Sequence, residues 1–178
     1  MPLKSLSGTV SILHARALSA GARRGILSAG NLRVTCMFGR SGRSSLKREG
    51  DGTTPRGVWP LRRVLVRPGI RAPGRLPSRV MRRDDGWCDD PNDRNYNLLV
   101  KLPYSASHEA LWREDELYDI VVVLGYNDRS RKRRAGSAVF LHLADAKGGP
   151  TAGCIAVSRR DMMKLLPLCG QRTCIKVW

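Results

Sequence analysis

"SAVFLHLADAKGGPTAGCIAVSRRD" occupies residues 137–161. Its first seven residues are an apolar run that predicts a buried strand over 137–143. "GGPTAG" then predicts a bend, and "CIAV" (154–157) a short strand. Ser158 stands three residues before Asp161, a capping-box spacing that opens a helix over 158–168. Met162, Leu165 and Leu166 would be its buried stripe. A thiol therefore stands behind a Gly-rich bend, twelve residues after His142.

Outward from this stretch the pattern stays β-rich. "YDIVVVLGYN" (118–127) predicts a buried strand ending in a turn, and "TCIKVW" (173–178) a terminal strand. "SGTVSILHA" (7–15) and "NLRVTCMFG" (31–39) are strands bounded by turn residues, with "RGILSAGN" as a short strand and turn between them. This spacing predicts a meander rather than βαβ units. "VWPLRRVLVRPG" (58–69) alternates apolar and basic residues, as an edge strand does. "SHEALWREDELYD" (107–119) carries a helical pattern, with Ser107 as cap and Leu111, Trp112 and Leu117 on one broad face. The segments 39–57, 71–79, 84–97 and 128–136 read as loops, rich in Gly, Pro, Asx and basic residues respectively. The sum predicts one mainly β domain over residues 1–178, with one or two packed helices.

The 178 residues suffice for a core that needs no disulfide or metal staple. Gly (18) and Pro (10) are abundant without a period, which suits a turn-rich fold. The net charge of +17 is lopsided: residues 1–83 carry +16 of it. Such a half suits a polyanionic partner (nucleic acid, an anionic membrane or an anionic cell-wall polymer), and it equally suits plain solubility. No stretch reaches the roughly 18 apolar residues of a membrane helix. "MPLKSLSGTVSILHARALSAGARR" makes a poor signal peptide, because His14 and Arg16 break its apolar run.

The five cysteines form no C-x-x-C pair, so no zinc site of usual spacing is expected. Cys36, Cys169 and Cys174 read as core, with a Cys169–Cys174 disulfide as the less favoured alternative. Cys88 lies beside carboxylates that would raise its pKa. Cys154 stands at a strand entrance after Gly153, with no acid within the eight preceding or the first six following positions. The Gly153 and Cys154 amides are candidates to meet the oxygen of a tetrahedral intermediate. Adjacent antiparallel strands would bring His142 to Cys154 and turn the thiol into a thiolate–imidazolium pair. A lone strand-end His is also a common structural residue.

"HLADAKGGPTAGCIAVSRRDMMKLL" resembles the signature of the L,D-transpeptidase (YkuD-like) family at His142, Thr151, Gly153, Cys154, Ile155 and Asp161. "REGDGTTPRGVWPL" (48–61) resembles the family's upstream motif at Glu49, Gly50, Asp51, Thr54, Pro55 and Gly57. "WCDDPNDRNYN" and "LYDIVVVLGYN" resemble blocks of a compact bacterial branch. The resemblance covers nearly the whole chain. This chain has Ala152 where many members have His, and Leu143 where many have Gly.

The resemblance implies a β-sandwich-like catalytic domain that acts on peptidoglycan stem peptides. It implies Cys154 as nucleophile, His142 as base and then acid, and Gly153 as part of the catalytic turn. It implies substrate contacts at Thr151, Asp51, Thr54, Pro55, Gly57 and Asn127. It further implies 3→3 cross-linking through a thioester, trapping by carbapenems, a monomer in the periplasm or cell envelope, and neither cofactor nor metal. A stem-trimming hydrolase of the same fold is one alternative. A basic nucleic-acid-binding module is another, weakened because aromatic residues do not interleave with the basic runs.

Overall fold

The computed structural model describes residues 8–178. Residues 1–7, which include the start of the signal-peptide reading and Ser7 of the first predicted strand, lie outside the described residues. Strands β1 (Ile12–Ala17), β2 (Arg24–Ala29) and β3 (Leu32–Met37) form the predicted antiparallel meander. Strands β4 (Arg43–Ser44) and β5 (Thr54–Pro55) pair as a short parallel ribbon inside the 39–57 segment. The ten-residue β6 (Gly57–Val66) follows, then β7 (Ser78–Val80). A small second sheet contains β8 (Asp85–Cys88), β9 (Leu99–Lys101) and β10 (His108–Ala110), in the order β10-β8-β9. The chain continues through β11 (Ile120–Leu124), β12 (Phe140–Leu143), β13 (Ile155–Val157), helix α1 (Arg159–Leu165) and β14 (Cys174–Val177).

The main sheet runs β11-β12-β13-β3-β2-β1-β14-β6-β7, and β6 also pairs with β11. That extra pairing closes the strands into a ring and removes most free edges. It also corrects the edge-strand expectation for 58–69. Residues 57–60 pair with β14, while 61–66 pair with β11 and 64–66 also with β7, so β6 is an interior strand. Its basic residues are interleaved with buried Leu61, Val64, Leu65 and Val66.

The helix expected over 107–119 is absent. Residues His108–Ala110 instead pair antiparallel with β8, and the Leu111 amide donates to Asp85 O at 3.0 Å. The Ser107 carbonyl accepts from the Asp89 amide (3.1 Å), rather than the side chain capping a helix. An open strand satisfied these backbone groups, and Leu111 is buried from an extended segment just as well. The C-terminal helix is present but short. Ser158 Oγ accepts from the Asp161 amide and donates to its carboxylate, Met162 and Leu165 are buried, and Pro167 sits in a 3-10 turn over Leu166–Leu168.

β11 is buried along its whole length and divides two apolar clusters. Ile120, Val122 and Leu124 face the main core with Leu141, Ile155 and Val157. Val121 and Val123 face a second cluster with Phe140, Tyr118 and Cys154. The alternation of side chains along β12 puts His142 on the same face as Phe140. That face carries the site.

Candidate active site

β12 and β13 are parallel, not antiparallel, with Leu141 opposite Ile155 and His142 opposite Ala156. The sequence pattern of two short apolar strands does not distinguish the two cases. The 144–154 connection is long enough for a crossover, and it is pinned on its way. Ala144 N donates to Val157 O, Thr151 N to Phe38 O, and Arg40 N to Thr151 O. In this register Cys154 lies level with Phe140, and His142 is one diagonal step away on the same face. Strand spacing puts their Cα atoms about 8 Å apart, a gap the two side chains can close.

The Cys154 sulfur accepts from the Phe140 amide at 3.3 Å and donates to Ala138 O at 3.1 Å, so it is held as a thiol. Burial pushes the thiol up to about 12, and Glu109 adds to that shift; the Phe140 amide, Lys47 and the Tyr118 hydroxyl oppose it. His142 Nδ1 lies 2.8 Å from Leu143 O. A carbonyl only accepts, so Nδ1 carries the proton and Nε2 of the neutral ring keeps its lone pair. Burial lowers the imidazole to about 4, against the opposing Leu143 bond. Both shifts favour a neutral resting pair over the thiolate–imidazolium pair expected from the sequence. Desolvation of the thiol and of the imidazole outweighs what spacing alone suggested.

Cys154, His142, Gly153 and Thr151 line one cavity of about 530 Å³. Asp51, Thr54, Pro55, Gly57 and Asn127 do not line it; Thr54 and Asp51 act on residues that do. Thr54, fully buried, accepts from the Gly39 amide and donates to Cys154 O at 3.1 Å. Thr151 Oγ1 donates to the same carbonyl at 2.7 Å and accepts from the Gly153 amide at 3.1 Å. Two hydroxyls thus fix the Cys154 peptide, and the Gly153 amide is taken rather than free for an oxyanion. Gly153 has φ +147°, and a Cβ there would lie 2.9 Å from Thr53 O and 3.2 Å from Lys47 Nζ. Only glycine fits this turn.

Asp51 accepts from the Arg48 and Thr53 amides and from Lys47 Nζ (3.0 Å). Burial tends to raise its carboxyl, but these bonds win and hold it below its usual range. Asp51 thereby places Lys47 beside Gly153. Pro55 O accepts from Trp59 Nε1, and Gly57 leaves room for the Trp59 ring. Asn127 binds Lys132 and Gly136 and so ties down the basic 128–136 loop.

Other residues around the site had no role in the sequence reading, where Glu49 stood only as a motif match. Glu49 accepts from Tyr96 (2.5 Å) and Ser137 (2.8 Å), and Asn97 accepts from the Ala138 amide and Trp87. Through these bonds the acidic 84–97 block holds the Ser137–Ala138 segment that faces the sulfur. Lys47, Glu109, Arg113 and Tyr118 also line the cavity. They come from segments read as loop or helix, and the one signal that pointed to any of them was the match at the neighbouring Glu49. The other thiols are free. Cys36, Cys88 and Cys169 are buried, whereas Cys174, expected in the core, is only half-buried because it points outward from β14. Burial raises Cys88 first, with Asp93, Asp89 and Asp90 adding to it. Among the described residues, no group of three or more His, Cys, Asp or Glu is placed to hold a metal ion.

A buried thiol, an imidazole whose Nδ1 carries the proton and a polar cavity over both are the chemical parts that cysteine acyl transfer uses. The family comparison agrees: the model of the YkuD L,D-transpeptidase catalytic domain matches residues 22–177. The chain belongs to this family. Among solved structures it is similar to L,D-transpeptidase 1 of Mycobacterium tuberculosis, with 15% identity and a TM-score of 0.40 over 93% of this chain and 61% of that one. It is also similar to an L,D-transpeptidase from Mycobacterium smegmatis, with 14% identity and a TM-score of 0.40 over 93% of this chain and 58% of that one. The chain thus spans about three-fifths of the length of these two proteins. No curated protein matches it.

Proposed function

We propose that this chain is a peptidoglycan L,D-transpeptidase that works through a Cys154 acyl-enzyme on tetrapeptide stems, in the cell envelope. The observation that carries the reading is the juxtaposition on one cavity wall of the Cys154 thiol and a His142 ring whose Nδ1 is fixed by Leu143 O. In the reaction, His142 Nε2 takes the thiol proton as sulfur attacks the carbonyl of the third stem residue. The imidazolium returns that proton to the departing D-Ala amine, leaving a thioester. The side-chain amine of a neighbouring stem then attacks the thioester, gives its proton to His142, and sulfur leaves to regain it. The result is a 3→3 cross-link, and no step calls for a metal or cofactor. The cavity carries both signs of charge (Arg40, Lys47 and Arg113 against Glu49, Asp89 and Glu109), which suits a substrate bearing both ammonium and carboxylate groups.

The test is incubation with defined disaccharide-tetrapeptides and mass spectrometry of products. Release of D-Ala with a cross-linked dimer is expected. A tripeptide alone would make the chain a carboxypeptidase. Neither product, with no acyl adduct on Cys154, would overturn the reading.

A further inference from the structure

Lys47 lines the cavity, is buried, and is unused in the steps above. Its side chain is 5% exposed, against 37% for Arg113, whose guanidinium is already engaged by Asp115; Arg40 is exposed. Two glycines make room for it. A Cβ at Gly136 would meet the Lys47 stem, with Cε at 2.8 Å, and a Cβ at Gly153 would lie 3.2 Å from Nζ. The ammonium therefore lies against the turn that presents Cys154. One bond and one Cα–Cα step further on, the Cys154 Cα is at most about 8.5 Å from Nζ. Of the three ammonium donors, one meets Asp51 Oδ1 at 3.0 Å and one Arg48 O at a long 3.4 Å. No other described residue accepts from it. Asp51 is itself shared with the Arg48 and Thr53 amides and the Thr53 hydroxyl, so it orients the ammonium without using up its donors. Glu49, the nearest carboxylate in sequence besides Asp51, is committed to Tyr96 and Ser137.

We propose that Lys47 is the specificity-determining residue of this cavity: its ammonium receives a carboxylate of the ligand, which in the reaction proposed above is that of the departing D-Ala. The D-Ala clause rests on the transpeptidase reading; the carboxylate clause does not. In a stem attacked at its third residue, the carboxyl carbon of the leaving residue stands three bonds from the attacked carbonyl carbon. That span is about 3–4 Å, so the anchor for the carboxylate must lie close beyond the sulfur, within the reach that Gly153 gives Lys47. An ammonium already buried and held by Asp51 has lost its water and its rotamer freedom before a ligand arrives, so the ligand does not bear that cost. A carboxylate completes the donor set with a charge-assisted bond. A neutral amide in the same place leaves the buried charge without an added counter-charge, which selects against it. Donors ending in a free carboxylate are therefore accepted, and donors amidated there are refused. A purely structural Lys47–Asp51 pair would tie down the 47–53 segment and make no such distinction.

The test is alkylation of Cys154 by N-iodoacetylglycine and by its neutral amide, read by peptide mass spectrometry in wild type, Lys47→Met and Arg40→Gln. Cys174, half-buried and outside the cavity lining, is the internal reference. A hydrogen bond between charged groups predicts that wild-type Cys154 favours the acid over the amide by about 10- to 100-fold relative to Cys174. The ratio of the two reagents cancels any change in the thiol's own reactivity. Lys47→Met should abolish the preference and Arg40→Gln should keep it. About 0.5 M salt should leave most of it, because a buried charge is screened far less than an exposed one. Absence of the preference in wild type overturns the proposal, whether or not Lys47→Met folds. A preference that survives Lys47→Met, or that vanishes in salt or in Arg40→Gln, belongs to the general field of the cavity and overturns it as well. For the departing residue, D-Ala release is expected from a tetrapeptide stem with a free C-terminal carboxylate and not from its C-terminal amide; equal release from both overturns that assignment. Failure of the transpeptidase reading would appear separately, as release from neither stem while Cys154 still prefers the acid reagent; it would remove the D-Ala assignment and leave Lys47 as a carboxylate receptor.

Discussion

Burial of His142 makes the fold acid-sensitive in a way one substitution isolates. The imidazole ordinarily titrates at 6.5 and is lowered to about 4 here, chiefly by desolvation. Above pH 6.5 the ring is neutral in both folded and unfolded chains and contributes nothing to pH dependence. As pH falls through 6.5, the unfolded chain takes a proton that the folded chain refuses, so stability is lost until about pH 4 and levels off below it. At 1.36 kcal/mol per pH unit, the His142 share of the loss is about 2 kcal/mol at pH 5 and about 3 kcal/mol at pH 4. His142→Gln removes this share, and its amide can still donate to Leu143 O. Urea unfolding of both proteins at pH 7.5, 5 and 4 gives the measurement. The stability difference between wild type and His142→Gln should move by these amounts in favour of the variant on acidification. Carboxylates that titrate in the same range are common to both proteins and cancel. Parallel pH dependences, within about 0.5 kcal/mol at every pH, would refute a neutral buried His142.

Three further outcomes are expected. A carbapenem should add one drug mass to the intact protein, and the adduct should vanish in Cys154→Ala but persist in Cys36→Ala, where the loss is about 1 kcal/mol of stability at a buried core site; an adduct elsewhere contradicts this. Gly153→Ala forces a side chain onto φ +147° and against Thr53 O, so it should cost about 1–3 kcal/mol in unfolding and most of the turnover; a variant of wild-type stability and activity would refute the tight turn. The +16 half should bind anionic wall material in a salt-dependent way, since exposed charges are screened over about 8 Å at physiological ionic strength, while turnover of a small soluble stem changes far less. Salt-insensitive retention on sacculi, or tight binding to duplex DNA at physiological salt, would contradict it.

The strands at 118–127, 137–143 and 154–157 were legible because runs buried on both faces leave a continuous apolar signature. Their mutual direction was not, because pairing is decided by what the 144–154 connection bonds to, and those partners, Phe38 and Arg40, lie over a hundred residues upstream. The 107–119 segment failed for a related reason. Leu111, Trp112 and Leu117 satisfy a helical period, but β8 offered a free strand edge to the same backbone. Cys154 and His142 could be singled out locally, by a Gly-flanked thiol and a strand-end imidazole. Lys47, Glu109 and Tyr118 reach them only through the closed fold. Thr54 and Thr151 looked like substrate contacts, yet both hydroxyls are engaged by the Cys154 carbonyl. The sequence pattern marked their place without revealing that they serve the backbone.

In the proposed reaction, the opposed shifts of Cys154 and His142 bear on when the nucleophile forms. Burial raises the thiol and lowers the imidazole, so proton transfer from Cys154 to His142 runs uphill in the substrate-free site and belongs to the attack on substrate rather than to the resting pair. Displacing water there leaves the sulfur with the Phe140 amide, Lys47 and the Tyr118 hydroxyl as its supporting groups. Each of these is fixed by the fold before substrate arrives: Phe140 by strand register, Lys47 by Asp51, and Tyr118 by Glu109. On the proposed mechanism, reactivity is set by when the proton moves rather than by a preformed thiolate, and burial of both members of the pair is what favours that order.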